Sequence, residues 1–484
     1  YLGLQTCTTD ARFQPIPGLG QVVRCRGQVT PMSALLTYRM EITAIGFNPQ
    51  PFVRCNVAII LHDKTIVHFQ DLGLQLCEKS PQPSLDPAQL AALAPRLAHQ
   101  SRKPALLNED RITEFCTGEL AKCFGPEYAI YDRGTVKASR MPNTHLNLVH
   151  RILSVEGQRY QIAKGSAIVT EYDVPLAPWY YRHNSSPTIP YAILMEMALR
   201  PCGFLSAYLG TTLMFPELSL YFRNLDGKGH LLKLFDVRGK TITNRSQLLS
   251  SIDIQGTIIQ SFEFQMHCDG ELFYEGTSSF GHFIPEVLVN QVGLDRGQNL
   301  RPWYETDLTT TQTAINITLR SPDSQHKFYR SSEPNSQYRL ANYQLDLLDE
   351  VKIIPGGGNH QQGYIYATKQ VQPNDWYFKC HFQDDPVMPG SLGIEAMLQA
   401  LQVYVLQLDL GKHLKSPSFK ATTDTIATWK YRGQIPQGQT EMTLEIHLTQ
   451  VEITSDRVTI SGDASLWKPG LRIYEVNNLS ITLT

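Results

Sequence analysis

Charge is scarce in this chain of 484 residues. Asp, Glu, Lys and Arg make up 18% of it, and the formal net charge is −2. A chain so nearly balanced has no general attraction for nucleic acid or an anionic membrane. No apolar run comes near the roughly 18 residues that a membrane helix needs, so no membrane span is expected. No signal peptide opens the chain, which begins at Tyr1 without a methionine, so it reads as a fragment of something longer. The nine cysteines include no CxxC pair, which suggests reduced thiols in a cytoplasmic protein. Cys380 adjoins His381, but no further ligands stand at zinc spacing, so Cys380 reads as a packed thiol and no metal is expected. Pro355-Gly356-Gly357-Gly358-Asn359 lacks a lysine and a following helix, which makes it a turn and not a phosphate loop. His145 and His150 read as flanking an apolar strand.

What the chain does have is apolar residues, 42% of the total, and length for about three domains at roughly 150 residues each. The most informative segment runs from Cys380 to Glu395. A histidine, His381, precedes a loop built on Pro386 and Pro389. Gly390 closes the loop and opens an apolar stretch, Leu392 to Leu406, that reads as a buried helix. Glu395 lies inside it. A candidate base, a candidate acid and a helix N-terminus thus fall within one segment. Helix N-termini present unpaired N–H groups that suit a developing oxyanion. Asp384-Asp385 reads as a solvent-facing part of the loop, or as shaping a tunnel mouth.

This segment resembles the active-site signature of the FabA/FabZ family of β-hydroxyacyl-acyl carrier protein dehydratases. The resemblance implies an α+β hotdog fold, an antiparallel sheet wrapped around one long central helix. It implies that His381 is the catalytic histidine and Glu395 the acidic partner. Gly390 would supply the oxyanion N–H, and Gln399, one turn further on, would steady the Glu395 carboxylate. No metal or organic cofactor is implied.

The segment has an internal echo. Asp173 to Tyr208 mirrors Asn374 to Leu406: Trp179-Tyr180-Tyr181 matches Trp376-Tyr377-Phe378, and His183 lies near His381. Met195-Glu196-Met197-Ala198 echoes Ile394-Glu395-Ala396-Met397. A sheet-like unit recurs three times, beginning near Val23, Val237 and Trp429, with alternating apolar residues and turns at Asp63-Lys64, Asp269-Gly270 and Pro469-Gly470. That is the pattern of an antiparallel meander. The expected organisation is a partial hotdog at 1–78 and a linker at 79–110 holding a short helix, Pro87 to Leu93. A dehydratase-like hotdog follows at 111–284. Then come a connector at 285–335, part of which packs along a hotdog, and a complete hotdog at 336–484.

The middle copy departs from the pattern. Its loop is shorter, Tyr191 stands where the glycine should be, and Arg200 replaces Gln399. Arg200 near Glu196 would tend to keep that carboxylate ionised. In the resembling family the histidine and acid of one site come from opposite hotdogs. If copies two and three pair within the chain, the sites are His381 with Glu196 and His183 with Glu395; otherwise a homodimer or the first half-copy supplies the rest.

Tandem FabA-like hotdogs resemble the dehydratase region of PfaC-type polyunsaturated fatty acid synthases, or of the similar heterocyst glycolipid synthases. The implied reaction removes water from a 3-hydroxyacyl thioester on acyl carrier protein to give a 2-enoyl thioester. Enoyl isomerisation is a possible companion, and neighbouring synthase domains are implied partners. The base must reach a weakly acidic α-proton, and the hydroxyl leaves only if protonated, which suits an acid with a raised pKa. Lys420, Lys430 and Arg432 are candidates for a rim that docks the acidic carrier. The alternatives are a hotdog thioesterase and a partly non-catalytic acyl-binding scaffold.

Overall fold

The computed structural model describes residues 11–30, 33, 35–46, 50–78, 104–134, 136–254, 256–306, 313–330 and 338–484. The expected helix Pro87 to Leu93 lies outside them. Two compact bodies divide the chain, 1–98 with 176–178 and 99–175 with 179–484.

In the first body five antiparallel strands form one sheet. Lys64–Glu78 is its long member. It pairs with Phe52–Leu61 on one side and with both Ala11–Pro15 and Val22–Cys25 on the other, and Thr37–Gly46 lies beyond Phe52–Leu61. The hairpin turns at His62 and Asp63, both at positive φ, a conformation that Asp tolerates better than most residues. Among the described residues of this body there is no helix.

The second body is built on a 14-stranded antiparallel sheet that wraps two buried helices, Tyr191–Tyr208 and Gly390–Gln407. Its middle half runs, in spatial order, Arg151–Glu156, Ala167–Asp173, Thr241–Ile254, Thr257–Cys268, Glu271–Phe283 and Tyr221–Leu231. Its third-copy half begins at Ile426–Tyr431 and continues through Leu471–Leu483, Val458–Lys468, Glu441–Ile453, Tyr364–Gln370, Glu350–Ile354 and Ile315–Thr318; Phe419–Ala421 pairs with Leu471–Leu483 off this path. Burial alternates along Thr241–Ile254 and Thr257–Cys268, as strands with one face on a core require. Each helix is apolar nearly all round, which is why each sits inside a sheet and not on a surface. This is the hotdog arrangement, present twice.

The two hotdogs join edge to edge, Ile426–Tyr431 pairing antiparallel with Tyr221–Leu231. Gly227 makes that seam possible. A Cβ there would come within 2.2 Å of the Trp429 indole, and the indole N–H donates to Asn224 Oδ1 at 2.7 Å. The cores interpenetrate: Ala192 and Met195 of the middle helix belong to the third-copy core, and Cys380 belongs to the middle core.

The connector 285–335 does pack along a hotdog where it is described. Ile315–Thr318 adds a strand beside Glu350–Ile354, Trp303 lies on Tyr364, and the helix Pro322–Tyr329, capped by Ser321, buries Phe328. The helix Glu109–Thr117, capped by Asn108, begins within the stretch expected to be linker. One segment, Tyr191–Met214, is long and apolar enough by composition to cross a membrane, against the sequence expectation; most of its apolar stretch is buried inside the protein as a core helix.

Candidate active site

His381 leaves a short 3-10 helix, Trp376–Lys379, through its N–H, which donates to the Tyr377 carbonyl at 2.9 Å. The loop then closes on itself, with Val387 N–H donating to the His381 carbonyl at 2.8 Å. His381 Nδ1 lies 3.0 Å from the Val387 carbonyl oxygen. A carbonyl only accepts, so Nδ1 carries the proton and Nε2 keeps a free lone pair. Burial pushes the imidazole down to about 3, which leaves it neutral at any ordinary pH.

The ring opens onto a cavity of about 110 Å³ that straddles the two hotdogs. The third copy contributes His381, Gly390, Ser391 and Tyr431; the middle copy contributes Glu196, Arg200, Arg223 and Phe222. His381 and Glu196 therefore share one cavity. Gly390 begins the 390–407 helix behind Pro389, and no side chain caps that end, so its N–H groups are available to the cavity. A Cβ on Gly390 would meet the Tyr431 ring at 2.8 Å, so only glycine leaves the space open.

Each glutamate reaches across to the start of the other helix. Ser391 Oγ donates to Glu196 Oε1 at 2.6 Å, and Ala192 N–H donates to Glu395 Oε2 at 3.1 Å. Glu395 is nearly closed off at 4% exposed, and burial pushes its carboxyl up to about 7. Burial also raises Glu196, opposed by the Ser391 hydroxyl and then by Arg200. Arg200 does pull the Glu196 carboxyl down, in the expected direction, but desolvation outweighs it. Arg200 instead spends its donors on the Leu146 carbonyl and, at 3.1 Å, on Cys116 Sγ.

Gln399 does not hydrogen-bond Glu395. Its amide pins backbone, donating to the Leu345 carbonyl and accepting from Leu347 N–H at 3.2 Å. Arg200 makes the matching bond to Leu146, so the two side chains do the same structural task in the two copies. Tyr191 fills with its ring the room that Gly390 leaves open. Its hydroxyl lies 3.4 Å from that of Tyr274, and a Cβ on Gly229 would come within 3.0 Å of it.

His183 is not the counterpart of His381. Asn143 N–H donates to the Cys380 carbonyl, and its mirror, Asn342 N–H, donates to the His183 carbonyl, both at 2.9 Å. The Trp179 and Trp376 indoles make matching bonds to His145 and Gln344. His183 therefore corresponds to Cys380, and the residue in the His381 position is Asn184. Asn184 even repeats the local bond: its Nδ2 donates to the Thr188 carbonyl at 2.9 Å, as His381 Nδ1 does to Val387. The His183 ring lies against Tyr343 and Trp179, its Nδ1 is buried without a partner, and burial pushes it down to about 4.

A latch that the sequence did not reveal holds the His381 loop. Arg223, from the middle copy, grips Asp385 with two bonds at 2.5 and 2.6 Å and also bonds Gln434. Lys137 lies 3.7 Å from Asp384. Asp385 thus faces the neighbouring hotdog, not solvent. Two of the three cations expected at a rim are likewise engaged, Lys430 with Glu475 and Arg432 with Asp226. Among the described residues no cluster of side chains is arranged to hold a metal ion, and Cys25, Cys55, Cys116, Cys123, Cys202, Cys268 and Cys380 are free thiols.

Comparison with known proteins follows the same lines. Residues 1–70 and 340–477 match the model of the FabA-like domain; the match includes His381, Gly390, Glu395 and Gln399 and leaves out Glu196. The whole chain is 30% identical, over an alignment of 601 residues, to a polyunsaturated fatty acid synthase component of Thraustochytrium sp., and spans 40% of that protein's length. Among solved structures, the dehydratase domain from the CurJ module of curacin polyketide synthase superposes with a TM-score of 0.37 at 11% identity, covering 70% of this chain and 98% of that one. A putative oleoyl thioesterase from Lactobacillus plantarum also scores 0.37 at 11% identity, covering 66% and 97%. Likeness at that level favours neither activity.

Proposed function

We propose that this chain, which is FabA-like over residues 1–70 and 340–477, removes water from 3-hydroxyacyl thioesters carried on acyl carrier protein, as the dehydratase region of a larger synthase. The observation that carries the proposal is the cavity that joins His381 of the third copy to Glu196 of the middle copy at the uncapped start of the 390–407 helix. The free Nε2 of His381 takes the α-proton of the substrate. Gly390 N–H stabilises the thioester oxygen as charge develops on it. Glu196, whose protonated form burial favours, delivers a proton to the departing hydroxyl, which leaves as water. One proton goes on to the enzyme and one comes off it, so the cycle closes when Glu196 recovers the proton from His381.

One working site follows from this assignment. Glu395 caps the 191–208 helix, and Asn184 cannot serve as a base, so the pairing of His183 with Glu395 is idle. Gln399 and Tyr191 support the fold around the site. The chain needs no cofactor for this chemistry. The test is mass spectrometry of a 3-hydroxyacyl carrier protein incubated with the protein. A loss of one water that disappears in His381→Ala is expected. Release of free acid would identify a thioesterase instead, and unchanged dehydration in a folded His381→Ala protein would overturn the assignment.

A further inference from the structure

Behind the catalytic cavity lies a second, much smaller chamber inside the middle hotdog, with room for about 10 Å³, close to one water molecule. Met141 and Phe222 line both spaces, so they form the wall between them. Phe222 is fixed, stacked on Phe280 at 4.6 Å with the rings nearly parallel. Met141 has an unbranched, flexible side chain. Its tip rests on Gly203, where a Cβ would come within 2.2 Å of Met141 Cε. The partition thus has one rigid and one movable half, and a glycine makes room for the movable one.

The chamber lining is mainly apolar, and His282 joins it to a polar network behind the wall whose hydrogen bonds can be assigned. The Thr211 hydroxyl donates to the Ser206 carbonyl, so Thr211 Oγ1 accepts from Gln260 Nε2. Gln260 Oε1 then accepts from the Ser206 hydroxyl at 2.7 Å. With that hydrogen committed, His282 Nε2 must be the donor to Ser206 Oγ at 2.9 Å. His282 Nδ1 is left as a bare acceptor, buried and without a partner, in a residue that lines the chamber. A donor such as one water fits there, and an apolar chain that expelled it would leave the acceptor unpaired.

We propose that Met141 is a movable partition that sets how far the acyl chain of the substrate extends, with the chamber behind it as the subsite for the chain end and His282 as its polar stop. The proposal rests on the acyl-thioester reading above. Met141→Ala merges the two spaces and should raise kcat/KM for chains a few carbons longer than the wild-type optimum by about tenfold or more, the usual worth of methylenes in a fitted pocket. Gly203→Ala pushes the Met141 tip into the catalytic cavity and should cut the longest accepted chains while sparing short ones. Met141→Leu keeps the wall filled and should keep the wild-type profile. The experiment measures dehydration of a homologous series of 3-hydroxyacyl pantetheine thioesters and, in parallel, binding of the corresponding acyl thioesters without the hydroxyl, which needs no chemistry. Opposite shifts in the Met141→Ala and Gly203→Ala proteins support the partition. Chain-length profiles that stay put in both would overturn it. Absence of dehydration by every protein, with binding profiles that still shift, would overturn the dehydratase reading and leave the partition standing.

Discussion

Exchanging the two buried glutamates for glutamine, one at a time, separates a catalytic carboxyl from a structural one. Glu196 and Glu395 hold mirrored positions, yet only Glu196 lines the cavity with His381. In Glu196→Gln the amide oxygen still accepts from the Ser391 hydroxyl, so the helix contact survives and only the transferable proton is lost. General acid catalysis is worth roughly 10² to 10⁴ in rate, so kcat should fall by at least about 10². In Glu395→Gln the amide oxygen still accepts from Ala192 N–H, and kcat should stay within about threefold of wild type. The assay is single-turnover dehydration of a 3-hydroxyacyl carrier protein, with circular dichroism to confirm the fold. Equal large losses in both variants would refute the single-site reasoning, since Glu395 would then also be donating protons. A Glu196→Gln protein near wild-type rate would refute it from the other side.

Three further outcomes follow from the same geometry. Arg223→Ala frees the loop that carries His381, because the bidentate bond to Asp385 is lost; kcat should fall by about 10 to 10², the cost of misplacing a reacting group, and Arg223→Lys, which cannot bond bidentately, should recover only part of it. Gly390→Ala drives a methyl against Tyr431 and should depress activity far more than melting temperature, read by parallel kinetics and thermal melts. Stability should fall at both ends of the pH scale. His381 and His282 are depressed to about 3 and His183 to about 4, below the ordinary 6.5, so their contribution is full above 6.5 and drains away as pH falls. Glu395 is raised to about 7 from 4.5, so its contribution is full below 4.5 and is lost as pH rises through 7, at most about 3 kcal/mol at 1.36 kcal/mol per pKa unit. Urea titrations from pH 4 to 9 should therefore show Glu395→Gln flattening only the alkaline limb.

The parts of this molecule that were legible in the sequence are those set by local pattern. The apolar stretch after Pro389 and Gly390 reads as a buried helix and is one, Gly390–Gln407. The alternating apolar residues after Val237 and Trp429 read as strands, and Thr257–Cys268 and Glu441–Ile453 are among the strands found there. What was not legible depends on contacts between distant segments. Nothing near Arg223 in sequence points to Asp385, and nothing near Gln399 points to the Leu345 and Leu347 backbone. The misplacement of His183 has a simpler cause. The matched aromatic triplets begin at Trp179 and Trp376, and counting forward from them sets His183 against Cys380; the chemical attraction of a second histidine masked that register. Counting back from Pro190 and Pro389 gives a different register, because the middle loop is shorter, and the mirrored bonds of Asn143 and Asn342 and of Asn184 and His381 decide between the two.

On the proposed assignment of one working site, the absence of a second is accounted for by three linked changes at one place. Duplicated hotdogs that pair face each other through a near-twofold arrangement, so two equivalent sites are the default, one at the start of each helix. At the start of the 390–407 helix the glycine leaves an opening, the loop is long enough to carry Asp385 to Arg223, and the histidine stands on that loop. At the start of the 191–208 helix Tyr191 occupies the opening, the shorter loop has no counterpart of the Asp385 latch, and asparagine takes the position of the base. Asparagine keeps the histidine's donation to the carbonyl at the end of the loop and gives up the lone pair that the proposed chemistry needs. Glu395 survives in the silent half because its carboxyl still serves the Ala192 N–H, a task independent of catalysis. The middle copy is thereby retained for what it lends to the other site: Glu196, Arg223 and the cavity wall. Restoring the base alone, by Asn184→His, should therefore yield no second site, since Tyr191 would still fill the space. A variant with Asn184→His and Tyr191→Gly in a Glu196→Gln background, assayed for recovered dehydration, tests whether the opening and the base are together sufficient; recovery by Asn184→His alone would show that Tyr191 does not block the cavity.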